Sequence, residues 1–192
     1  MSHIFFVRHG PTHLNSMVGW SNVPADLSDT AKLARLGQIL PKTGSVISSD
    51  LKRAVDTADA LNLPQIRLPN EPGLRELNFG DWELKTFSEI NATDHDRVFA
   101  FFDTPGAISA PNGENWNNFC RRVNAVIDNL ISSKFNQPFV IIAHFGVIMS
   151  QIQRAEGQGA KYSMRHKIDN LSLTHLTCRR RKWVVHKINF SA

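Results

Sequence analysis

Two histidines follow two apolar runs in this chain. His9 comes directly after Ile4-Phe5-Phe6-Val7-Arg8, and His144 directly after Phe139-Val140-Ile141-Ile142-Ala143. Each run is short, apolar and rich in β-favouring side chains, which reads as a buried strand. Each histidine is followed closely by a glycine, Gly10 and Gly146. Ligands of parallel α/β sheets bind just outside the carboxyl ends of the strands. An imidazole beside the Arg8 cation at such an edge suggests an anion site with a nucleophile in it, and Gly10 would let the backbone turn close to the ligand. Taken alone, Arg8-His9-Gly10 fits a solvated surface turn equally well.

Two further groups suit the same chemistry. Arg53 falls in the first turn of a helix that follows Ser48-Ser49-Asp50, beyond another strand, where it can point to the same edge. Glu76 lies in Leu74-Arg75-Glu76-Leu77-Asn78-Phe79-Gly80-Asp81-Trp82-Glu83, where carboxylates are interleaved with large apolar groups. Desolvation raises a carboxyl pKa, and a Glu raised towards neutrality suits general acid catalysis. Glu83 is the reserve candidate for that role, and an Arg75–Glu76 surface patch the plain alternative.

The elements that must position these groups alternate. A turn-rich loop from His13 to Asp26 leads to a helix capped by Ser28, with Leu33, Leu36 and Leu40 on its inner face. A strand at Ser45–Ser49, a helix from about Leu51 to Leu61 and a short strand between Pro64 and Pro69 follow. Strand-helix alternation of this kind marks a parallel α/β sheet. From Glu71 to about Pro111 the alternation breaks into a loop-rich, aromatic segment, read as a cap over the ligand edge. A long amphipathic helix from about Glu114 to Ser133 comes next, with apolar residues at helical spacing. The strand before His144 then leads into a helix to about Ala155. Two late strands, around Leu171–His175 and Trp183–Ile188, form a terminal hairpin. The expected fold is therefore α/β: a three-layer α/β/α sandwich with a mostly parallel central sheet, a small cap insertion and a C-terminal antiparallel hairpin. The expected organisation is one domain over 1–192 with a cap-like insertion at about 71–111.

Composition narrows the class. The 192 residues are 42% hydrophobic and 20% charged, as in an ordinary globular protein, with a net charge of +5. That excess suits an anionic small molecule as well as a nucleic acid or a membrane. Cys120 and Cys178 have no CxxC or CxxH neighbours, so a metal site is not expected and free thiols in a reducing compartment are. No apolar run reaches the roughly 18 residues of a membrane span, nor is there a signal-peptide core. A cytoplasmic protein that binds no membrane is the expectation. The basic run Arg179-Arg180-Arg181-Lys182 is read as the charged turn of the hairpin, not as a nucleic-acid site.

Five stretches in order resemble the histidine phosphatase superfamily, the phosphoglycerate-mutase-like proteins. These are Arg8-His9-Gly10-Pro11-Thr12 with Asn15; Ser48 to Ala58; Arg75 to Glu83; Pro111-Asn112-Gly113-Glu114; and Ala143 to Ile148. The pattern is most similar to the short α-ribazole-phosphatase-like and broad-specificity branch. The resemblance implies a phosphohistidine formed on His9, with Arg8, Arg53 and His144 around the phosphoryl oxygens. It makes Glu76 the general acid and then the base, and gives Asn15 a phosphate hydrogen bond. It implies a small phosphorylated substrate and no cofactor or metal. The chain departs from the family at Phe145, where Gly is frequent, and at Asn22, Ala31 and Leu84-Lys85. A phosphoglycerate mutase is the second reading, disfavoured by the compact insertion, and a non-catalytic phosphate- or protein-binding module is the third. Oligomeric state stays open, a homodimer included.

Overall fold

The computed structural model describes residues 1–133 and 137–192. Six strands form one sheet in the order β3-β2-β4-β1-β5-β6. They are β1 (Ser2–Arg8), β2 (Ser45–Ser48), β3 (Ile66–Arg67), β4 (Phe139–Ala143), β5 (Leu173–Arg179) and β6 (Lys182–Phe190). β1, β2, β3 and β4 run parallel, and β5 and β6 join antiparallel to β1 and to each other. The sheet is thus mostly parallel with a terminal antiparallel hairpin. The hairpin turns at Arg180 and Arg181, both at positive φ (49° and 64°), the backbone that a two-residue turn between twisted strands demands.

Side-chain alternation along β1 and β4 builds two cores. Ile4, Phe6, Phe139 and Ile141 face one layer, while Val7, Val140 and Ile142 face the other. The first layer is α5 (Trp116–Ser132) and α6 (Phe145–Glu156), through Phe119, Val123, Ile127, Val147, Ile148 and Ile152. The second is α1 (Thr30–Ile39) and α2 (Lys52–Leu61), through Leu33, Leu36, Ala54, Ala58 and Leu61. β4 is buried on both faces, which is why it reads as an unbroken apolar run.

Local signals differ from the sequence reading in small ways. Asp29, not Ser28, caps α1, because its carboxylate accepts the Lys32 amide at 2.9 Å while Ser28 turns back onto Asp26. The third strand shortens to two residues between its flanking prolines. α5 starts two residues late, with Asn115 accepting the Asn118 amide. Between β3 and α5 lie two 3-10 turns, Pro72–Leu74 and Gly80–Trp82, and two helices, α3 (Phe87–Thr93) and α4 (His95–Asp103). Here Trp82, Ile90, Val98 and Phe101 join the first core, whereas Phe87, Phe99 and Phe102 stay about 40% exposed. A short helix, α7 (Ala160–Ser163), precedes β5. No helix among the described residues is long and apolar enough to cross a membrane.

Candidate active site

Strand register brings the two histidines together. Arg8 pairs with Ala143 across the parallel β1–β4 ladder, so the next residues, His9 and His144, leave the sheet side by side. The His9 amide donates to the Ala143 carbonyl at 3.0 Å, and the imidazole centroids are 5.1 Å apart. β1 leads to α1 on one face and β4 to α6 on the other. A crevice therefore opens at the carboxyl ends of these neighbours, where open α/β sheets bind ligands.

The protonation state of His9 follows from its partners. Nδ1 lies 2.6 Å from the Gly10 carbonyl, which can only accept, so Nδ1 carries the proton. Nε2 lies 3.2 Å from Arg53 Nε, which can only donate, so Nε2 keeps its lone pair. Burial, then the Arg53 and Arg8 cations, pull the imidazole pKa down to about 3. His9 is neutral at any ordinary pH, with its lone pair at Nε2 turned to the Arg53 Nε–H. Gly10 is held by its amide on Thr57 Oγ1 at 3.0 Å, and a Cβ there would lie 2.8 Å from the Asp26 carbonyl and 2.7 Å from Leu27.

Arg53 reaches His9 from the first turn of α2. Its side chain is almost wholly buried, and its Nη1 and Nη2 donate to the carbonyls of Ser21 (2.8 Å) and Gly19 (2.6 Å). The loop that offers those carbonyls is fastened by Glu83, whose carboxylate accepts the amides of Gly19, Trp20, Ser21 and Phe79 and the Ser21 hydroxyl. Glu83 is thus committed to holding the loop, a different part from that of a reserve acid. Arg8 donates through Nη1 to the Ile168 carbonyl at 2.6 Å, and its guanidinium lies 5.6 Å from the Phe145 ring centre. His144 is completely buried, and neither ring nitrogen finds a hydrogen-bond partner among the described residues. Burial first, then the nearby arginines and His9, keep it well below the usual histidine range and so neutral.

Glu76 is more deeply placed than its sequence suggests, at 8% exposure. Burial raises its pKa against the opposing pull of two amides and of Arg53 and Arg8. The amides come from Leu77 to Oε1 (2.8 Å) and from Gly146 to Oε2 (3.0 Å). Its own carbonyl accepts from Trp20 Nε1 and from Arg122 Nη2. Arg122 also binds the carbonyls of Gly73 and Arg75 and forms a two-pronged pair with Glu114 at 2.9 and 2.6 Å. Arg75 pairs with Asp50 at 2.8 and 2.5 Å, leaving Glu76 free of it.

A cavity of about 330 Å³ is lined by Arg8, His9, Arg53 and Glu76, with Phe79 and Phe145 on its wall and Thr12, Leu14 and Ser16 from the loop after β1. Of the residues expected from sequence, Arg8, His9, Arg53 and Glu76 face it, and His144 lies directly behind His9. Asn15 is exposed and does not line it, whereas Leu14 and Ser16 on either side do. Arg122 was missed, and Gly146 was noted only as a glycine after His144, not as the amide that holds Glu76. Arg122 looked like an ordinary cation on an amphipathic helix, although the acidic turn ending in Glu114 eight residues before it was a usable signal. Among the described residues, no group of three or more His, Cys, Asp or Glu is arranged to hold a metal ion.

The sequence matches the model of the histidine phosphatase superfamily (branch 1) over residues 4–191. It is 27% identical over 173 residues to the adenosylcobalamin/alpha-ribazole phosphatase of Escherichia coli, covering 86% of this chain and 85% of that protein. The Salmonella typhimurium protein of the same name is 30% identical over 161 residues, covering 79% and 78%. Among solved structures, Bacillus stearothermophilus YhfR superposes with a TM-score of 0.89 at 20% identity, over 100% of this chain and 98% of that one, which speaks to the fold alone. With the strand-end histidines, the α/β sheet and these matches in agreement, the chain belongs to the histidine phosphatase superfamily.

Proposed function

We propose that the protein is a metal-independent phosphomonoesterase working through a phosphohistidine on His9. One observation carries this reading: a neutral imidazole with its Nε2 lone pair fixed towards a cavity that also holds two arginines and a buried, pKa-raised carboxyl. The phosphoryl oxygens of the ester compete for the Arg53 Nε–H, which frees the lone pair it covers. Nε2 attacks phosphorus, the P–O bond to the alcohol breaks, and protonated Glu76 delivers its proton to the departing oxygen. Arg8 and Arg53 face the oxygens where charge gathers in the transition state, with the buried, neutral His144 packed behind His9. Glu76, now a carboxylate, takes a proton from water as that water attacks phosphorus, and inorganic phosphate leaves with His9 restored.

The cations already present balance the charge of a phosphate dianion, so no step calls for a metal. Among the described residues, Arg8 and Arg53 are the only cationic side chains lining this cavity, and both are spent on the phosphoryl group in this scheme. No cation is left for a second acidic group on the substrate, which favours hydrolysis of a simple ester over a mutase reaction on a phosphorylated carboxylic acid. The test is release of inorganic phosphate from phenyl phosphate in EDTA, together with trapping of an acid-labile phosphoenzyme. Activity in EDTA and its loss in His9→Ala are expected. Full activity in His9→Ala, or an inert protein over acidic to neutral pH, would overturn the reading.

A further inference from the structure

Beyond Glu76 lies a second cavity of about 350 Å³. It shares Glu76, Phe79 and Phe145 with the first, and it does not touch His9, Arg8 or Arg53. The rest of its wall includes Phe101 and Phe102 from α4, Trp116 from α5, and Ile108 and Met164. Among the described residues, Glu76 is the only charged side chain on it. The Trp116 indole N–H is already given to Gln153 Oε1 at 2.7 Å. A hydroxyl-rich group entering here would exchange water for a wall without free side-chain donors, at a net cost. An apolar group would gain burial against rings held on three helices.

The position of this cavity relative to the chemistry gives it a use. In-line displacement puts the leaving oxygen opposite the attacking nitrogen. Under the reaction proposed above, that oxygen is the one Glu76 protonates, so it sits at the wall common to both cavities. Whatever is attached to it continues away from His9, into the second cavity. We infer that the enzyme selects phosphomonoesters of apolar alcohols, and that Phe102, Ile108 and Phe145 set this preference. The inference rests on the phosphatase reading. Phe145, the departure from the family pattern, stands at the junction: Arg8 lies 5.6 Å from its ring centre, and it lines both cavities.

Ethyl, butyl and hexyl phosphate test this, because their leaving alcohols are nearly equal in acidity and differ in apolar length. Each fully buried methylene is worth about fourfold, so kcat/KM should rise at least about tenfold from ethyl to hexyl with burial only partial. Glycerol phosphate should do no better than ethyl phosphate. Ethyl- and hexylphosphonate, which cannot be hydrolysed, should show a parallel rise in affinity by calorimetry. Phe102→Ser and Ile108→Asn, both at partly exposed positions, should each shrink the hexyl-to-ethyl ratio by about threefold or more. A ratio within twofold, a preference for glycerol phosphate, equal phosphonate affinities, or an unchanged ratio in both folded variants would overturn the inference while phosphatase activity stands. An enzyme that hydrolyses none of these esters, nor phenyl phosphate, would remove the phosphatase reading itself and this inference with it.

Discussion

Gly146→Ala puts one methyl group between two residues that the site needs in contact. A Cβ at this position would lie 2.3 Å from Glu76 Oε1, 3.3 Å from Glu76 Cδ and 3.2 Å from Phe119 Cζ. Phe119 is fully buried and cannot yield, so the carboxyl must retreat. Ordinary contact begins near 3.4 Å, so the retreat is about 1 Å, a displacement that costs on the order of 100-fold in rate when it strikes a reacting group. The same movement strains the hydrogen bond from the Gly146 amide to Oε2, and overpacking of this kind destabilises by about 1–3 kcal/mol. The assay compares single-turnover rates on hexyl phosphate, whose alkoxide cannot leave unprotonated, and on p-nitrophenyl phosphate, whose phenolate can. The hexyl rate should fall about 100-fold in the variant, while the phosphorylation burst from p-nitrophenyl phosphate survives. A folded Gly146→Ala enzyme that cleaves hexyl phosphate within about twofold of the parent would refute the assignment of Glu76 as the proton donor.

Two other predictions concern how the site is held. The folded state keeps His9 neutral down to about pH 3, whereas the unfolded chain protonates it near the ordinary histidine value. Between those values the unfolded state binds more protons, so stability is full above about 6.5 and is lost as pH falls. The loss from His9 is about 1.4 kcal/mol at about pH 5.5, and His144 adds to it in the same direction. Glu76 acts oppositely, since its raised folded pKa makes its contribution greatest in acid and smaller as pH rises. Urea titrations at about pH 7.5 and 5.5 should show the net fall, diminished in His9→Gln; a flat profile would mean that the histidines are not held neutral by burial. Arg122→Ala should cost roughly 2 kcal/mol, discounted for a partly exposed pair, and lower kcat about tenfold or more by loosening the Glu76 backbone. Stability unchanged within about 0.5 kcal/mol would show that the Arg122–Glu114 pair and its three carbonyls do not hold this segment.

What the chain reveals before folding, and what it conceals, divides along physical lines. Strand-end histidines are legible because apolar runs and the glycines after them are local features. The register that makes His9 and His144 neighbours is not local, for nothing in either strand states that Arg8 pairs with Ala143. Glu76 and Glu83 are equivalent by composition, both acidic among large apolar residues. Their difference is tertiary: one is buried with two amides and a raised pKa, the other receives donors from a loop some 60 residues away. Asn15 sits in a resembling motif, yet it is exposed and the residues on either side of it, Leu14 and Ser16, line the cavity instead. Phe145 was legible as a departure but not in its consequence, which depends on where α6 begins relative to Glu76.

Under the proposed reaction, the electrostatics of the cavity would couple substrate binding to the protonation of Glu76. The cavity wall carries Arg8 and Arg53 beside two histidines that burial keeps neutral; Glu76 opposes both arginines, Glu83 adds to its effect on Arg53 and Asp169 to its effect on Arg8. Those arginines pull the Glu76 pKa down against the rise imposed by desolvation. A phosphate dianion between them would offset their charge, so the carboxyl pKa would rise further as the ester binds, favouring its protonated form. Glu76 is then an acid at the moment the alcohol needs a proton. Once the alcohol has carried that proton away, the carboxylate is left beside the phosphorylated imidazole, ready to accept one from water. On this account neither arginine acts only as a handle for phosphate: each also sets when Glu76 is charged. Burial supplies the raised baseline, and the substrate's own charge supplies the switch.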